Sequence, residues 1–407
     1  MIKPQQLLTA LLLGLVLLSP AHAEEKNWWN PAWTIRKKID IDTTGKGFAI
    51  SDPIGTTAVL VRLHDGLLNF LAARDDGSDL RFIADDNKTV LKHHVEKWDS
   101  LLNEAYVWVQ VPELQPEAAK SFWLYYGNST EAVTPDPVKE TYDESTTLVY
   151  HFANASSAGT DSSATGASAE GVPTPAAGSL IAGGLRVFGQ SAITVPSNPA
   201  LEWAPGAPLT ISTWIKPSAL QPNAVIFSRR EGTNAFIFGL DNGIPFVEVS
   251  KKRSTPGEPI ATGSWHHVAV VADAGNLTVY LDGKSYGALA AAMPLFKGPG
   301  EIDKDTSPAA AGLVGYAGEL DEFQISKTAR PAGFIQFAAV NQGASADAGR
   351  LVVVGSDEAS DHEEESEIMK HVSLISDISK DLTIDGWIVI FCCALLAVVG
   401  WVIAVER

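Results

Sequence analysis

Trp265-His-His-Val-Ala-Val-Val271, Asp273-Ala-Gly-Asn276 and Leu277-Thr-Val-Tyr-Leu281 follow one another without a break. Two runs rich in Val, Leu and aromatic residues around a Gly-containing turn read as a β-hairpin. Asp282-Gly283 comes next, a favoured two-residue turn, and opens a second hairpin. Upstream, Leu209-Thr-Ile-Ser-Thr-Trp-Ile215 places Leu209, Ile211 and Ile215 on one face of a strand. Leu148-Val-Tyr-His-Phe152 reads as the first strand of this block, and a Ser/Ala/Gly-rich loop runs from Ala153 to Gly184. Strands at short intervals over 145–330 predict two face-packed antiparallel sheets, a jelly roll.

The preceding block, 27–132, shows the same period of two. In Trp33-Thr-Ile-Arg-Lys-Lys-Ile-Asp-Ile41, residues Trp33, Ile35, Ile39 and Ile41 share a face. Ala105, Val107, Val109 and Val111 repeat the pattern, and Phe122-Trp-Leu-Tyr-Tyr126 adds a dense aromatic run. This predicts a β-sandwich, joined to the next block through Thr134-Pro-Asp-Pro137. After Pro331 the composition changes. Phe334-Ile-Gln-Phe337 predicts a short helix and Leu351-Val-Val-Val354 a last strand. An acidic run from Asp357 to Glu367 reads as a solvated linker. Ile368, Val372, Ile375, Ile378 and Leu382 then mark one stripe of an amphipathic helix, so 331–385 is read as linker, acidic run and helix.

Both ends carry membrane signals. Lys3, the apolar run Leu7 to Leu18 and Ala21-His22-Ala23 read as a signal peptide, 1–23. The uncharged apolar stretch Trp387 to Val405 is long enough for a helix to span a bilayer, and it predicts a transmembrane helix over 386–405. Residues 24–385 are then exported, and the ending at Arg407 suggests a natural polypeptide that continues into a membrane domain. The two cysteines, Cys392 and Cys393, fall inside the span, so the exported part has none. Secreted eukaryotic proteins of this size usually carry disulfides, which favours a bacterial periplasm, with the inner membrane as anchor. The formal net charge of −18 argues against nucleic acid as a partner, because phosphate binding requires Lys and Arg clusters.

Three resemblances follow. Gly263 to Val271, Leu277 to Gly283 and Gly315-Tyr-Ala-Gly-Glu-Leu-Asp-Glu-Phe-Gln-Ile325, with Tyr150-His-Phe152 and Asp161-Ser-Ser163, resemble the concanavalin A-like, laminin-G type jelly-roll family. Trp28-Trp-Asn-Pro-Ala-Trp33 and Phe122-Trp-Leu-Tyr-Tyr-Gly-Asn128 resemble an uncharacterised bacterial exported module often joined to such a jelly roll. Leu382-Thr-Ile-Asp-Gly-Trp-Ile-Val-Ile390 resembles the lead-in to the first membrane helix of the MotA/TolQ/ExbB proton-channel family. That last resemblance implies an ExbB-like subunit that forms a homo-oligomer through its membrane helices and works with an ExbD/TolR-like partner. The fold class expected is mainly β: two antiparallel β-sandwich domains, an amphipathic helix and one transmembrane helix.

No catalytic constellation emerges. In Gly318-Glu-Leu-Asp-Glu-Phe323, Glu319 and Asp321 share a face, but the stretch resembles a closing strand of the non-catalytic family and not a glycosidase carboxylate pair. His266 and His267 point to opposite faces of a strand, as do His93 and His94, so neither pair can share a metal. HExxH and Gly-rich phosphate loops are missing. Asp241-Asn242, Asp273 and Asp303-Lys-Asp305 could supply oxygen ligands to calcium, although turn chemistry accounts for them equally well. Trp203 and Tyr316 could stack on sugar rings, or fill the core. The expectation is a non-enzymatic periplasmic region of an ExbB/TolQ-like subunit that binds a ligand or partner; the alternative is a free-standing membrane-anchored lectin or adhesin.

Overall fold

The computed structural model describes residues 28–128, 138–153 and 158–360. The signal peptide, the amphipathic helix, the transmembrane helix and most of the acidic run expected from the sequence lie outside the described residues. Among the described residues, no helix is long and apolar enough to cross a membrane. The chain divides into two compact units, 36–357 and a second made of 1–35 with 358–407. In the described part of the second, the Trp28 indole donates to Trp33 O at 2.7 Å and the Ser360 amide to Thr34 O at 2.8 Å.

The first module contains β1 (Ile35–Asp42), β2 (Gly55–His64), β3 (Arg81–Ala84), β4 (Val90–Leu91), β5 (His93–Asp99), β6 (Glu104–Leu114) and β7 (Ala119–Tyr126). The jelly roll begins with β8 (Thr146–Tyr150), β9 (Ala176–Ala177), β10 (Gly183–Phe188), β11 (Ile193–Val195), β12 (Leu209–Pro217), β13 (Ala224–Glu231) and β14 (Asn234–Asp241). It continues through β15 (Ile244–Val249), β16 (Lys252–Arg253), β17 (His266–Asp273), β18 (Asn276–Leu281), β19 (Lys284–Ala290), β20 (Gly300–Ile302), β21 (Val314–Gly315) and β22 (Ala317–Ser326). Two helices, α1 (Ala332–Gln342) and α2 (Ala346–Leu351), lead into β23 (Val352–Ala359).

The first module is formed by sheets of order β23-β1-β7-β3-β4 and β2-β6-β5. The last strand, expected from Leu351 to Val354, thus runs from Val352 and closes the module that the first strand opened. Lys37 fastens this edge with an ion pair to Asp357 at 3.0 Å. The jelly roll stacks β19-β18-β17-β12-β22-β10-β9, with β8 also on β22, against β11-β20-β13-β14-β15-β16, with β21 on β13. Between them lies an aromatic-rich core that includes Trp203, Phe227, Phe236, Phe238, Phe296 and Phe323.

Both hairpins of the opening stretch, β17–β18 and β18–β19, form as read, and the second shows the turn geometry. Asp282 (φ 48°) and Gly283 (φ 80°) both take the left-handed conformation that a tight hairpin turn requires. In β17, Val268, Val270 and Ala272 face the core. Ala269 and Val271 face outward, against Ile335 of α1. Both faces are covered, which is why this strand is apolar without interruption. The outer face of the larger jelly-roll sheet is therefore covered where α1 packs, and it lies open near β10 and the far ends of β12 and β22.

Candidate functional site

Two places carry chemistry. The first is a buried seam between the two modules. His94 and Glu96 come from β5, Trp108 from β6, Tyr142 from the segment before β8, His151 from the residue just after β8, and Glu322 from β22. Glu322 reaches outward because its backbone takes φ 51°, beside a register shift in the pairing of β12 with β22. Such a bulge re-aims a side chain that strict alternation would turn into the core.

His151 is the hub. Its Nδ1 lies 2.7 Å from Glu322 Oε1 and 3.6 Å from Glu96 Oε2. Its Nε2 lies 3.1 Å from the Tyr142 hydroxyl and 3.2 Å from His94 Nε2. Trp108 Nε1 donates to Glu96 Oε2 at 2.6 Å, and Gln324 Nε2 to Glu322 Oε2 at 3.3 Å. The side chains of Glu96 and Glu322 are 1% and 0% exposed. Burial opposes charge on His151, but Glu322 and Glu96 outweigh it and raise its pKa to about 9. Burial, aided by Glu322, pushes Glu96 up to about 7. Burial and the neighbouring His151 hold His94 well below the ordinary imidazole value.

Glu96, His151 and Glu322 offer ligand atoms within 4.8 Å of one another, the trio among the described residues that could hold a metal ion. The 2.7 Å Nδ1 to Oε1 contact is that of a charge-assisted hydrogen bond. Closed to solvent, this cluster cannot reach a polymeric substrate; it acts as a charged clamp between the modules.

The second place is a cleft of about 310 Å³ on the open part of the jelly-roll sheet. Arg186 and Phe188 of β10, Lys216 of β12 and Glu319 of β22 line it, with the backbone of Gly263 and Gly318. Leu185 and Val187 point into the core, so alternation turns Arg186 and Phe188 outward. Phe188 is 68% exposed, an unusual exposure for a large aromatic side chain. Glu319 lies across from both Arg186 and Lys216 in the strand register, and it accepts from Arg186 at 3.2 Å and Lys216 at 3.3 Å. Lys216 also lies 5.8 Å from the centre of the Trp265 ring.

The residues singled out in the sequence fall elsewhere or serve other ends. Trp203 and Tyr316 are buried in the core and cannot stack on a sugar. Asp321 is buried, accepting the amides of Ile181 and Glu322. Of the proposed calcium ligands, Asp241 is held by Arg253 and Asp305 by Arg230, while Asp273 is exposed at the end of β17. Asp303 is buried with Oδ1 unpartnered, and burial raises it to about 7. His267 is buried against Trp214, His266 bonds Asp282, and His93 packs on Phe82. Only His94 joins the seam. Alternation around Leu185 and Val187 could have flagged Phe188; no local signal marks Glu96.

Residues 188–336 match the family model described as the concanavalin A-like lectin/glucanases superfamily, and residues 76–164 match a domain of unknown function, DUF2341. The chain thus carries a DUF2341 module followed by a concanavalin A-like jelly roll. No curated protein matches it. Among solved structures it is similar to domain 4 of AbnA, a GH43 extracellular arabinanase from Geobacillus stearothermophilus, in complex with arabinotriose. That match has 20% identity and a TM-score of 0.39, over 48% of this chain and 98% of the other. The binding domain of botulinum neurotoxin serotype D matches at 17% identity and TM-score 0.38, over 49% of this chain and 52% of the toxin domain. The binding domain of Paraclostridial Mosquitocidal Protein 1 matches at 13% identity and TM-score 0.38, over 50% and 53%. The chain spans about half the length of both toxin domains.

Proposed function

We propose that this chain is a non-catalytic, exported glycan-binding protein whose ligand seat is the Phe188 cleft. The observation that carries the reading is an exposed aromatic ring beside paired polar side chains, on a jelly roll whose sequence matches a lectin and glucanase superfamily. Aromatic faces take the apolar side of a sugar ring, and Arg, Lys and Glu bond its hydroxyl groups. Binding without cleavage is supported by the burial of Asp321, which leaves Glu319 without a facing catalytic carboxylate in the cleft. The signal-like N-terminus and the absence of cysteine from 24–385 support a periplasmic setting, and the apolar stretch Trp387 to Val405 supports a membrane anchor.

A wider reading makes these modules the exported part of an ExbB/TolQ-like channel subunit with an ExbD/TolR-like partner. It rests on the Leu382 to Ile390 lead-in, which lies outside the described residues, and neither matching family model belongs to that channel family. The lectin reading has the better support. A glycan array probed with the detergent-solubilised full chain tests it. Binding to a defined glycan set that is lost in Phe188→Ala is expected; an array without signal overturns the reading.

A further inference from the structure

We infer that the Phe188 cleft selects acidic glycans, those carrying uronate, sialate or sulfate groups, over neutral ones. This rests on the cleft being the glycan seat. The chain as a whole is strongly acidic, with a formal net charge of −18. The cleft departs from it: its lining holds two cations, Arg186 and Lys216, against one carboxylate, Glu319. One positive charge is left over in the cleft of a chain whose total charge is negative.

The strand register fixes how these charges are displayed. Arg186, Glu319 and Lys216 lie in a row across β10, β22 and β12. Neighbouring strands are about 4.8 Å apart, so the two cationic strands are separated by about 10 Å, with the carboxylate between them. Glu319 is tucked under its partners, its side chain 17% exposed against 61% for Arg186 and 32% for Lys216. It orients both cations and occupies only part of their donor capacity: a guanidinium has five N–H donors and an ammonium three. Both residues line the cleft, so an incoming carboxylate or sulfate can accept from their remaining donors. Phe188 stands two residues along β10 from Arg186 on the same face, about 7 Å away at strand rise. A sugar stacked on Phe188 therefore brings the acidic group of its own ring or of the next unit to the Arg186–Lys216 pair. Neutral sugars would find the ring but leave the surplus charge unmatched.

The test uses full-length protein in detergent and two matched ligand pairs: trigalacturonate against its methyl ester, and sialyllactose against lactose. Isothermal titration is expected to show at least one acidic member binding about ten-fold or more tighter than its neutral match. Added salt should erode that gap and leave the neutral arm unchanged. Arg186→Ala with Lys216→Ala should abolish the gap, and Phe188→Ala should weaken both arms; melting curves of these exposed-site variants check that they fold. Equal affinity within both pairs, lost in Phe188→Ala, overturns the acid selectivity and leaves the glycan reading intact. Binding that ignores all three substitutions, or no binding to either pair together with a silent glycan array, overturns both.

Discussion

His151 shows how much a single buried side chain can control. Its ordinary value of 6.5 rises to about 9 in the fold, so its contribution is complete below 6.5 and is lost as pH climbs through about 9. A shift of that size corresponds to about 3 kcal/mol. Glu96, raised from 4.5 to about 7, costs stability as pH rises across that interval, in the same direction. His94 has its value lowered, so it costs stability as pH falls below 6.5. Denaturant unfolding should therefore show stability falling from pH 6.5 to 10. The drop should be clearly smaller in Glu322→Gln, which removes the stronger partner of His151; equal drops would mean the cluster does not govern the decline. At pH 7 the same substitution should cost about 3–5 kcal/mol, as expected when one member of a buried pair is removed.

At the scale of elements, α1 is tied to the first module by backbone mimicry. Asn341 Oδ1 accepts the Leu60 amide at 2.7 Å and its Nδ2 donates to Leu60 O at 3.0 Å, as a neighbouring strand would. Arg62 returns the favour at the helix end, donating to the carbonyl oxygens of Asn341 and Gln342. Asn341→Leu strands both Leu60 groups in a buried place and should lower unfolding stability by about 2–3 kcal/mol, measured by urea titration. These elements differ in how well they could be read from sequence. The Trp265 to Gly283 hairpins were legible because alternation and left-handed turn residues are local. The helix at Phe334 was legible in kind, though it runs on to Gln342. The seam was not, since His151 and Glu322 are 171 residues apart and meet through a bulge that no local pattern announces. The closure of the first module by β23 was equally hidden, because pairing partners are set by topology.

At the scale of the whole molecule, the seam and the α1 clasp join the two modules at two separate places, and the β1–β23 pairing closes the first module after the chain has left the jelly roll. Calorimetry on the full chain should accordingly give a single transition for residues 36–357, and two resolved transitions would show that the modules melt independently.

The β1–β23 pairing has a mechanical corollary. The jelly roll lies wholly within the loop that this strand pair closes. Tension applied across residues 36 and 357 is borne by one strand contact and its Lys37–Asp357 fastener, while the jelly roll inside the loop stays slack. A tug along the backbone would leave the Phe188 cleft undeformed until that fastening ruptured.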